Sequence, residues 1–126
     1  MRLDLLYVAL GAIAGAFLRY FVTSESLFLE GIPVSVLVIN IIGSFILGLT
    51  MTGVKELGFD PRFVVLIGVG FCGSLTTMSS FAYETVNLFD LGRLALAGIS
   101  IVLNVGLSLL AIVAGQAIIN LVAGLV

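Results

Sequence analysis

The sequence predicts an all-α membrane protein with four transmembrane helices in each subunit, and two observations predict it. Charged residues make up 10% of the chain, whereas an ordinary globular domain contains about 25%. Four apolar runs also reach, or nearly reach, the roughly 20 residues that cross the hydrocarbon core of a bilayer. These runs are Leu5–Leu18, Ile32–Val54, Phe63–Val86 and Leu94–Val126.

The four helices are expected at residues 3–22, 33–54, 62–86 and 93–124 of a single transmembrane domain that spans residues 1–126. Pro33 suits the first turn of the second helix, where a missing amide proton costs little. The connections are short, so function must be built from the helices themselves. They are Thr23–Gly31, Lys55–Pro61 and Asn87–Gly92.

The residue inventory argues against an enzyme. The chain has no histidine, which is the commonest metal ligand and general base. It has one cysteine, Cys72, and no phosphate-binding loop, nucleophile elbow or zinc-ligand spacing. A net charge of −2 gives no reason to expect a nucleic-acid partner. The expected surroundings are the lipid bilayer of the cytoplasmic (inner) membrane.

The basic residues hardly distinguish the two sides of the membrane. With four spans, Arg2, Lys55 and Arg62 belong to one side, and Arg93 and Arg19 to the other. A clear excess normally marks the cytoplasmic side. The near-tie has two interpretations: five charges carry little information, or the chain inserts in both orientations and pairs with an inverted copy of itself. The second interpretation predicts an antiparallel, dual-topology dimer.

Polar and small residues inside the spans identify packing faces and candidate sites. Gly11 and Gly15 form a GxxxG pattern, for which helix packing is the favoured role. Asn40 near the centre of the second helix either bonds a neighbouring helix or serves a pathway. In the fourth helix, Ser100, Asn104 and Ser108 recur every four residues and form a polar stripe.

The third helix has a composition that favours a break near its centre. Glycines at 68, 70 and 73 are followed by five hydroxyl residues, Ser74, Thr76, Thr77, Ser79 and Ser80. A broken helix at membrane depth is tolerated where its backbone is buried in protein or lines a polar cavity. Its carbonyls can bind a cation, and its amides or hydroxyls can face an anion. A glycine-rich packing face is the alternative to this ion site.

Four segments carry a resemblance to a known family along essentially the whole chain. They are GAIAGAFLRY (Gly11–Tyr20), VINIIGSFILG (Val38–Gly48), GFCGSLTTMSSF (Gly70–Phe81) and the polar stripe of the fourth helix. The third segment closely matches the pattern GxCGGxTTFSTF. The chain therefore resembles the Fluc (CrcB) family of fluoride channels. The resemblance implies an antiparallel homodimer with two pores, a central structural Na⁺ and passive export of fluoride; a pair of oppositely oriented paralogues is the alternative assembly.

The resemblance also implies roles for individual residues. The main-chain carbonyls of Gly73 and Thr76 would hold Na⁺, a hard cation that prefers oxygen ligands. The positive ring edge of Phe81 would face fluoride, and Asn40 would donate from its amide. Hydroxyls along the path of the anion would come from Ser79, Ser80 and Ser108.

Three further positions complete the candidate site. Asn104, from the polar stripe, is assigned to the pore. Arg19 matches the basic residue that closes the first helix, where vestibule, anchoring and packing roles remain open. Met78 stands where the family usually has a first pore phenylalanine, so one aromatic contact is absent.

Two other functions are compatible with the length of the chain. A small multidrug-type exporter is also a four-helix, dual-topology dimer, but proton exchange needs a carboxylate inside the membrane. Asp4 lies at the edge of the first helix, and Glu84 is expected to be a solvated, interfacial carboxylate. A structural subunit without transport activity would explain the GxxxG pattern but not the hydroxyl-rich third helix.

Overall fold

The computed structural model describes residues 2–24, 28–29 and 31–125 and contains four helical spans that are long and apolar enough to cross a membrane. The first, second and fourth are the α-helices α1 (Arg2–Ser24), α2 (Ser35–Glu56) and α5 (Leu94–Ala123). The third span, Val64–Asp90, consists of a π-helix (Val64–Cys72), a single turn α3 (Gly73–Leu75) and α4 (Met78–Asp90). The four predicted spans are therefore confirmed.

The first connection differs from the prediction. Pro33 does not begin α2: it lies in the short strand β2 (Ile32–Pro33), which pairs antiparallel with β1 (Phe28–Leu29). Gly31, with a φ of 90°, makes the turn between them, and Pro33 is tolerated because this two-stranded ribbon has open edges. Residues 25–27 and 30 of the predicted connection lie outside the described residues.

The connection between the third and fourth spans is shorter than predicted. α4 continues through Asn87 to Asp90, and the amide of Leu91 still donates to the carbonyl of Asn87 at 3.1 Å. Gly92, with a φ of 70°, then turns the chain, as glycine commonly does after a helix. The predicted connection Asn87–Gly92 is thus mostly helical. Val126, at the end of the fourth apolar run, lies outside the described residues.

The π-helix of the third span was not predicted. In this geometry an amide bonds the carbonyl five residues earlier, as the amide of Gly73 does with Gly68. Two of the nine residues, Gly68 and Gly70, are glycines, and both are buried. Long π-helical segments are rare, and short ones often lie at functional sites.

Glycines set the distances between the spans. A Cβ on Gly11 or Gly15 would overlap the carbonyl oxygen of Leu66 or Phe71, so α1 lies with its backbone directly against the third span. The packing role predicted for the GxxxG pattern is confirmed. α2 and α5 approach each other in the same way through Gly48 and Gly115.

The buried core is narrow and lies where α2, the third span and α5 meet. Ile39 and Leu75 are each 1% exposed, and Phe81 is 6% exposed. Large apolar side chains cover the outer surface of all four spans, as expected for helices that face lipid. Polar residues are buried in the same core, which places the candidate site inside the bundle rather than on its surface.

Candidate functional site

One cavity brings together most of the residues that the sequence singles out. It has a volume of about 380 Å³ and is lined by α2, the third span and α5. None of the described residues that line it carries a charged side chain. The predicted site residues in its wall are Asn40, Gly73, Thr76, Met78, Phe81, Asn104 and Ser108.

Two extended residues interrupt the third span at this cavity. Thr76 has φ −75° and ψ 151°, and Thr77 has φ −146° and ψ 110°, so neither is helical. We call these two residues the Thr76–Thr77 segment. The amide of Thr77 donates to Oδ1 of Asn40 at 2.9 Å, so α2 holds the segment in place. Thr77 itself is 6% exposed.

The side chain of Thr77 begins the next helix. Its Oγ1 accepts a hydrogen bond from the amide of Ser80 at 3.2 Å, which caps the N-terminus of α4. The same hydroxyl lies 3.0 Å from the Ser80 hydroxyl and 3.3 Å from the Ser79 hydroxyl. Thr77 therefore joins two of the predicted pore hydroxyls to the interruption, although it was not among the predicted site residues.

The hydrogen bonds made by the amides of Thr77 and Ser80 affect two main-chain carbonyls of the third span. In a continuous α-helix, the amide of Thr77 would bond the carbonyl of Gly73, and the amide of Ser80 would bond that of Thr76. Here the two amides donate to Asn40 Oδ1 and Thr77 Oγ1. The carbonyls of Gly73 and Thr76 have thus lost their helical donors, and both residues line the cavity.

The two asparagines of the site are bonded to each other. Nδ2 of Asn40 donates to Oδ1 of Asn104 at 3.2 Å. Nδ2 of Asn104 in turn donates to the carbonyl of Ser100 at 3.2 Å, within α5. Asn104 is 5% exposed, while Asn40 and Ser108 are half-buried.

The two pore candidates at the start of α4 differ in exposure. Phe81 is 6% exposed and Met78 is 71% exposed, although both line the cavity. Both side chains form part of the cavity wall, but most of the Met78 side chain is exposed, whereas the Phe81 ring is buried. The position at which the resemblance led us to expect a phenylalanine is therefore an exposed one.

A second cavity, of about 410 Å³, holds the remaining predicted hydroxyls. Ser79 and Ser80 line it together with Thr23, Val36, Tyr83 and Glu84. Arg19 lines neither cavity, but its carbonyl accepts a bond from Thr23 Oγ1 at 2.8 Å. The structure thus places Arg19 one helical turn from the second cavity.

The carboxylate of Glu84 is less exposed to solvent than predicted. Its Oε2 is buried and has no hydrogen-bond partner among the described residues, so the expectation of a fully solvated carboxylate is wrong. The burial of this atom depends on tertiary contacts, which sequence position does not show. Thr77 could have been found from the sequence, because a Thr immediately before the first residue of a helix is a capping signal.

The described residues contain no cluster of three or more His, Cys, Asp or Glu side chains that could hold a metal ion. The oxygen atoms at the first cavity belong to neutral groups: main-chain carbonyls, asparagine amides and hydroxyls. The site combines such carbonyls with neutral amide and hydroxyl donors inside an apolar bundle.

Comparison with known proteins identifies the family of the chain. The family described as CrcB-like protein, Camphor Resistance (CrcB), matches residues 6–116. The chain belongs to the CrcB family. The resemblance seen in the sequence is thereby confirmed, and residues 6–116 contain every predicted site residue.

Curated relatives of this CrcB protein carry the name fluoride-specific ion channel FluC. The protein from Shewanella pealeana is 40% identical over 115 residues, which are 90% of this chain and 93% of the relative. That from Nitrosopumilus maritimus is 38% identical and covers 94% of each chain. A Sulfurihydrogenibium relative is 42% identical over 87% of this chain and 91% of its own. These names describe channels, not enzymes.

The cap of α4 gives a prediction for the CrcB fold. Thr77→Val keeps the shape of the side chain but removes the acceptor for the Ser80 amide. We expect a loss of about 1 kcal/mol of stability, as for other lost helix caps, and faster deuterium exchange of the first amides of α4. Both are measured in detergent, by thermal unfolding and by mass spectrometry.

Thr85→Val is the matched control for this prediction. Thr85 is also 6% exposed, but its hydroxyl only bonds the carbonyl of Phe81 within α4 at 2.8 Å. This variant should leave exchange at the start of α4 unchanged. Equal effects of the two substitutions would show that the Thr77 hydroxyl does not anchor the helix.

Proposed function

We propose that this chain is a fluoride-selective ion channel that lets fluoride leave the cell passively across the cytoplasmic membrane and so relieves fluoride toxicity. The observation that carries the proposal is the wall of the first cavity, whose described residues offer neutral hydrogen-bond donors and no charged side chain. The FluC names of the relatives support the same ion.

The chemistry of fluoride explains why such a wall is suitable. Burying a bare anion in an apolar medium costs tens of kcal/mol, so the wall must replace its water shell. Asn40 can donate from its amide, Ser108 from its hydroxyl, and Phe81 can turn the positive edge of its ring to the anion. A full positive charge would bind the ion too tightly for it to leave, whereas neutral donors permit release.

The path of the ion would continue into the second cavity. The hydroxyls of Ser79 and Ser80 lie in that cavity, and Ser80 is bonded to Thr77 at the first one. The hydroxyls therefore extend from one cavity to the other along the start of α4. Arg19, near the outer end of this path, would attract anions from solution.

A small multidrug-type exporter is the competing function, and Glu84 is the observation that favours it. Its partly buried carboxylate lies inside the third span, where a proton-coupled exporter needs one. The second cavity that contains Glu84 is also lined by Thr23, Ser79 and Ser80. An exporter would move a quaternary ammonium ion, so transport measurements separate the two functions.

The proposed function predicts selective flux from liposomes that contain the purified protein. Fluoride efflux should be fast, and efflux of chloride or uptake of a quaternary ammonium substrate should be negligible. Phe81→Ile should reduce fluoride efflux per folded protein by at least tenfold, because it removes the ring edge that faces the anion. A fluoride electrode measures the initial rate.

Met78→Ile is the matched control, since it exchanges one apolar side chain for another of similar size, a change that usually costs less than about 1.5 kcal/mol. It should reduce efflux by less than twofold. Equal losses from the two isoleucine variants would show that Phe81 contributes no more to fluoride efflux than Met78 does. Transport of the ammonium substrate without fluoride flux would establish the exporter instead.

We also propose that two copies of the chain form an antiparallel, dual-topology homodimer with two pores. The three-to-two division of basic residues supports insertion in both orientations. Gly73 and Met78 are exposed beside the first cavity, which leaves a face for a second copy to cover. The partner would then complete the wall of each pore.

Dual topology predicts that a tag at the C-terminus is found on both sides of the membrane. Two lysines added at the Leu91–Arg93 turn should bias insertion towards one orientation and reduce the amount of active protein. Labelling of the tag in intact and permeabilised cells measures the two populations. A single orientation in every copy would contradict the proposal.

A central structural Na⁺ is the last part of the proposed assembly. The structure offers the carbonyls of Gly73 and Thr76, whose helical donors bond elsewhere, and oxygen is the ligand atom that a hard cation requires. Two chains would supply four such oxygens. A bound Na⁺ would offset the dipoles of these carbonyls and hold the two copies together.

Replacing Na⁺ by N-methylglucamine throughout purification should therefore lower the thermal midpoint of the assembly and its fluoride flux together. Adding back Na⁺ should restore both. Exchange at equal concentration keeps the ionic strength constant, and replacing chloride by another monovalent anion at constant Na⁺ serves as the control for the identity of the anion. An unchanged midpoint without Na⁺ would argue that the two carbonyls bind no cation.

A further inference from the structure

Three hydrogen bonds link two distant main-chain groups through the side chains of two asparagines. The amide of Thr77 donates to Asn40 Oδ1 at 2.9 Å, and Asn40 Nδ2 donates to Asn104 Oδ1 at 3.2 Å. Asn104 Nδ2 then donates to the carbonyl of Ser100 at 3.2 Å. We call this series the asparagine relay. It connects α5 to the interruption of the third span by way of α2.

The two ends of the relay determine its direction. An asparagine side chain can be turned so that its oxygen and nitrogen exchange places. A main-chain N–H can only donate, however, and a main-chain carbonyl can only accept. With Thr77 at one end and Ser100 at the other, only one orientation of each asparagine satisfies all three bonds.

This orientation leaves one Nδ2 hydrogen of Asn40, a residue that lines the first cavity, without a hydrogen bond of normal length. Nδ2 carries two hydrogens, and one of them is bonded to Asn104. The other has the carbonyl of Thr77 at 3.5 Å, which is longer than a normal N–H···O bond of 2.7–3.2 Å. That hydrogen is therefore weakly held and available to a ligand in the cavity.

Hydrogen bonds at both the oxygen and the nitrogen hold the Asn40 side-chain amide more firmly than a single bond would. A bond to Oδ1 alone would still allow the amide to rotate about its Cβ–Cγ bond. The second bond, from Nδ2 to Asn104, fixes the plane of the group. Bonds that point the same way along a chain also polarise one another, which strengthens each donor.

The burial of the two residues assigns them different tasks. Asn104 is 5% exposed; its Oδ1 accepts a hydrogen bond from Asn40, and one hydrogen of its Nδ2 is bonded to Ser100. Asn40 is half-buried, so its weakly held donor is more accessible than the amide of Asn104. The polar contacts of Asn104 thus serve mainly to hold Asn40, although the sequence assigned Asn104 to the pore wall.

We propose that Asn104 is a positioning residue, which orients the Asn40 amide towards the permeating anion and does not itself bind the ion. This inference rests on the proposed function. It predicts that loss of Asn104 weakens the binding of fluoride to the cavity, while the assembly and the rest of the path remain intact.

The first test is the dependence of fluoride flux on fluoride concentration for Asn104→Leu, which has a similar size but no polar atom. We expect at least a fivefold increase in the half-saturating concentration. A purely structural residue would instead lower the maximal flux through loss of folded protein. Flux is therefore normalised to folded protein measured by size-exclusion chromatography.

Ser100→Ala is the matched control on the same helix. Ser100 is 1% exposed, and its hydroxyl has no partner among the described residues. The substitution retains the main-chain carbonyl that ends the relay, so the half-saturating concentration should change by less than twofold. A similar increase in both variants, or no increase in Asn104→Leu, would overturn the inference. Wild-type protein without fluoride flux would instead contradict the proposed function.

The second test uses the wild-type protein and so does not depend on folding of a variant. Titration with fluoride of protein labelled with ¹⁵N-asparagine should shift one side-chain amide proton of Asn40 strongly and those of Asn104 only weakly. The resonances are assigned by their absence in Asn40→Ser and in Asn104→Leu. Equal shifts at the two asparagines would show that Asn104 binds the ion, and the positioning role would be wrong.

Discussion

The hydrogen bond from the Thr77 amide to Asn40 Oδ1 is the interaction on which the site depends. It takes the amide that a continuous helix would give to the Gly73 carbonyl, and it holds two extended residues inside an apolar bundle. An unpaired amide at this depth would be costly, so the interruption needs a partner from another span. Asn40 provides that partner, while Thr77 Oγ1 starts the next helix. The half-buried side chain of Asn40 thus stabilises the interruption and also contributes to the cavity wall.

The electrostatics of the site follow from the use of dipoles in place of charges. In the part of the chain that the structure describes, the first cavity is lined by amides, hydroxyls, main-chain carbonyls and one aromatic ring, and by no charged side chain. Dipoles can be reoriented by their neighbours, so the direction of each donor is set by its hydrogen-bond partners. Glu84 is the exception in the second cavity, where a buried carboxylate oxygen lies on the same side of α4 as the hydroxyls. The described lining of the first cavity is therefore neutral, whereas in the second cavity the hydroxyls of Ser79 and Ser80 share the wall with a carboxylate.

Close packing at glycines makes this arrangement possible. α1 lies directly against the third span at Gly11 and Gly15, and α2 lies against α5 at Gly48 and Gly115. These contacts bring Asn40 and Asn104, which are 64 residues apart in the chain, within hydrogen-bond distance. They also leave large apolar side chains on the outer surface, where lipid solvates them.

The sequence by itself determined the four spans and the composition of the site, because hydropathy, glycine content and the polarity of Asn40 are local properties. Only the tertiary structure decided what those residues do to one another. The capping role of Thr77, the orientation of Asn104 and the buried oxygen of Glu84 each depend on the distance to another group. Pro33 was placed in a helix because its restricted φ suits a first turn, yet it pairs in a strand with Phe28. The bond between Asn40 and Thr77 joins residues 37 apart, and such a bond exists only when the packing of the spans brings them together.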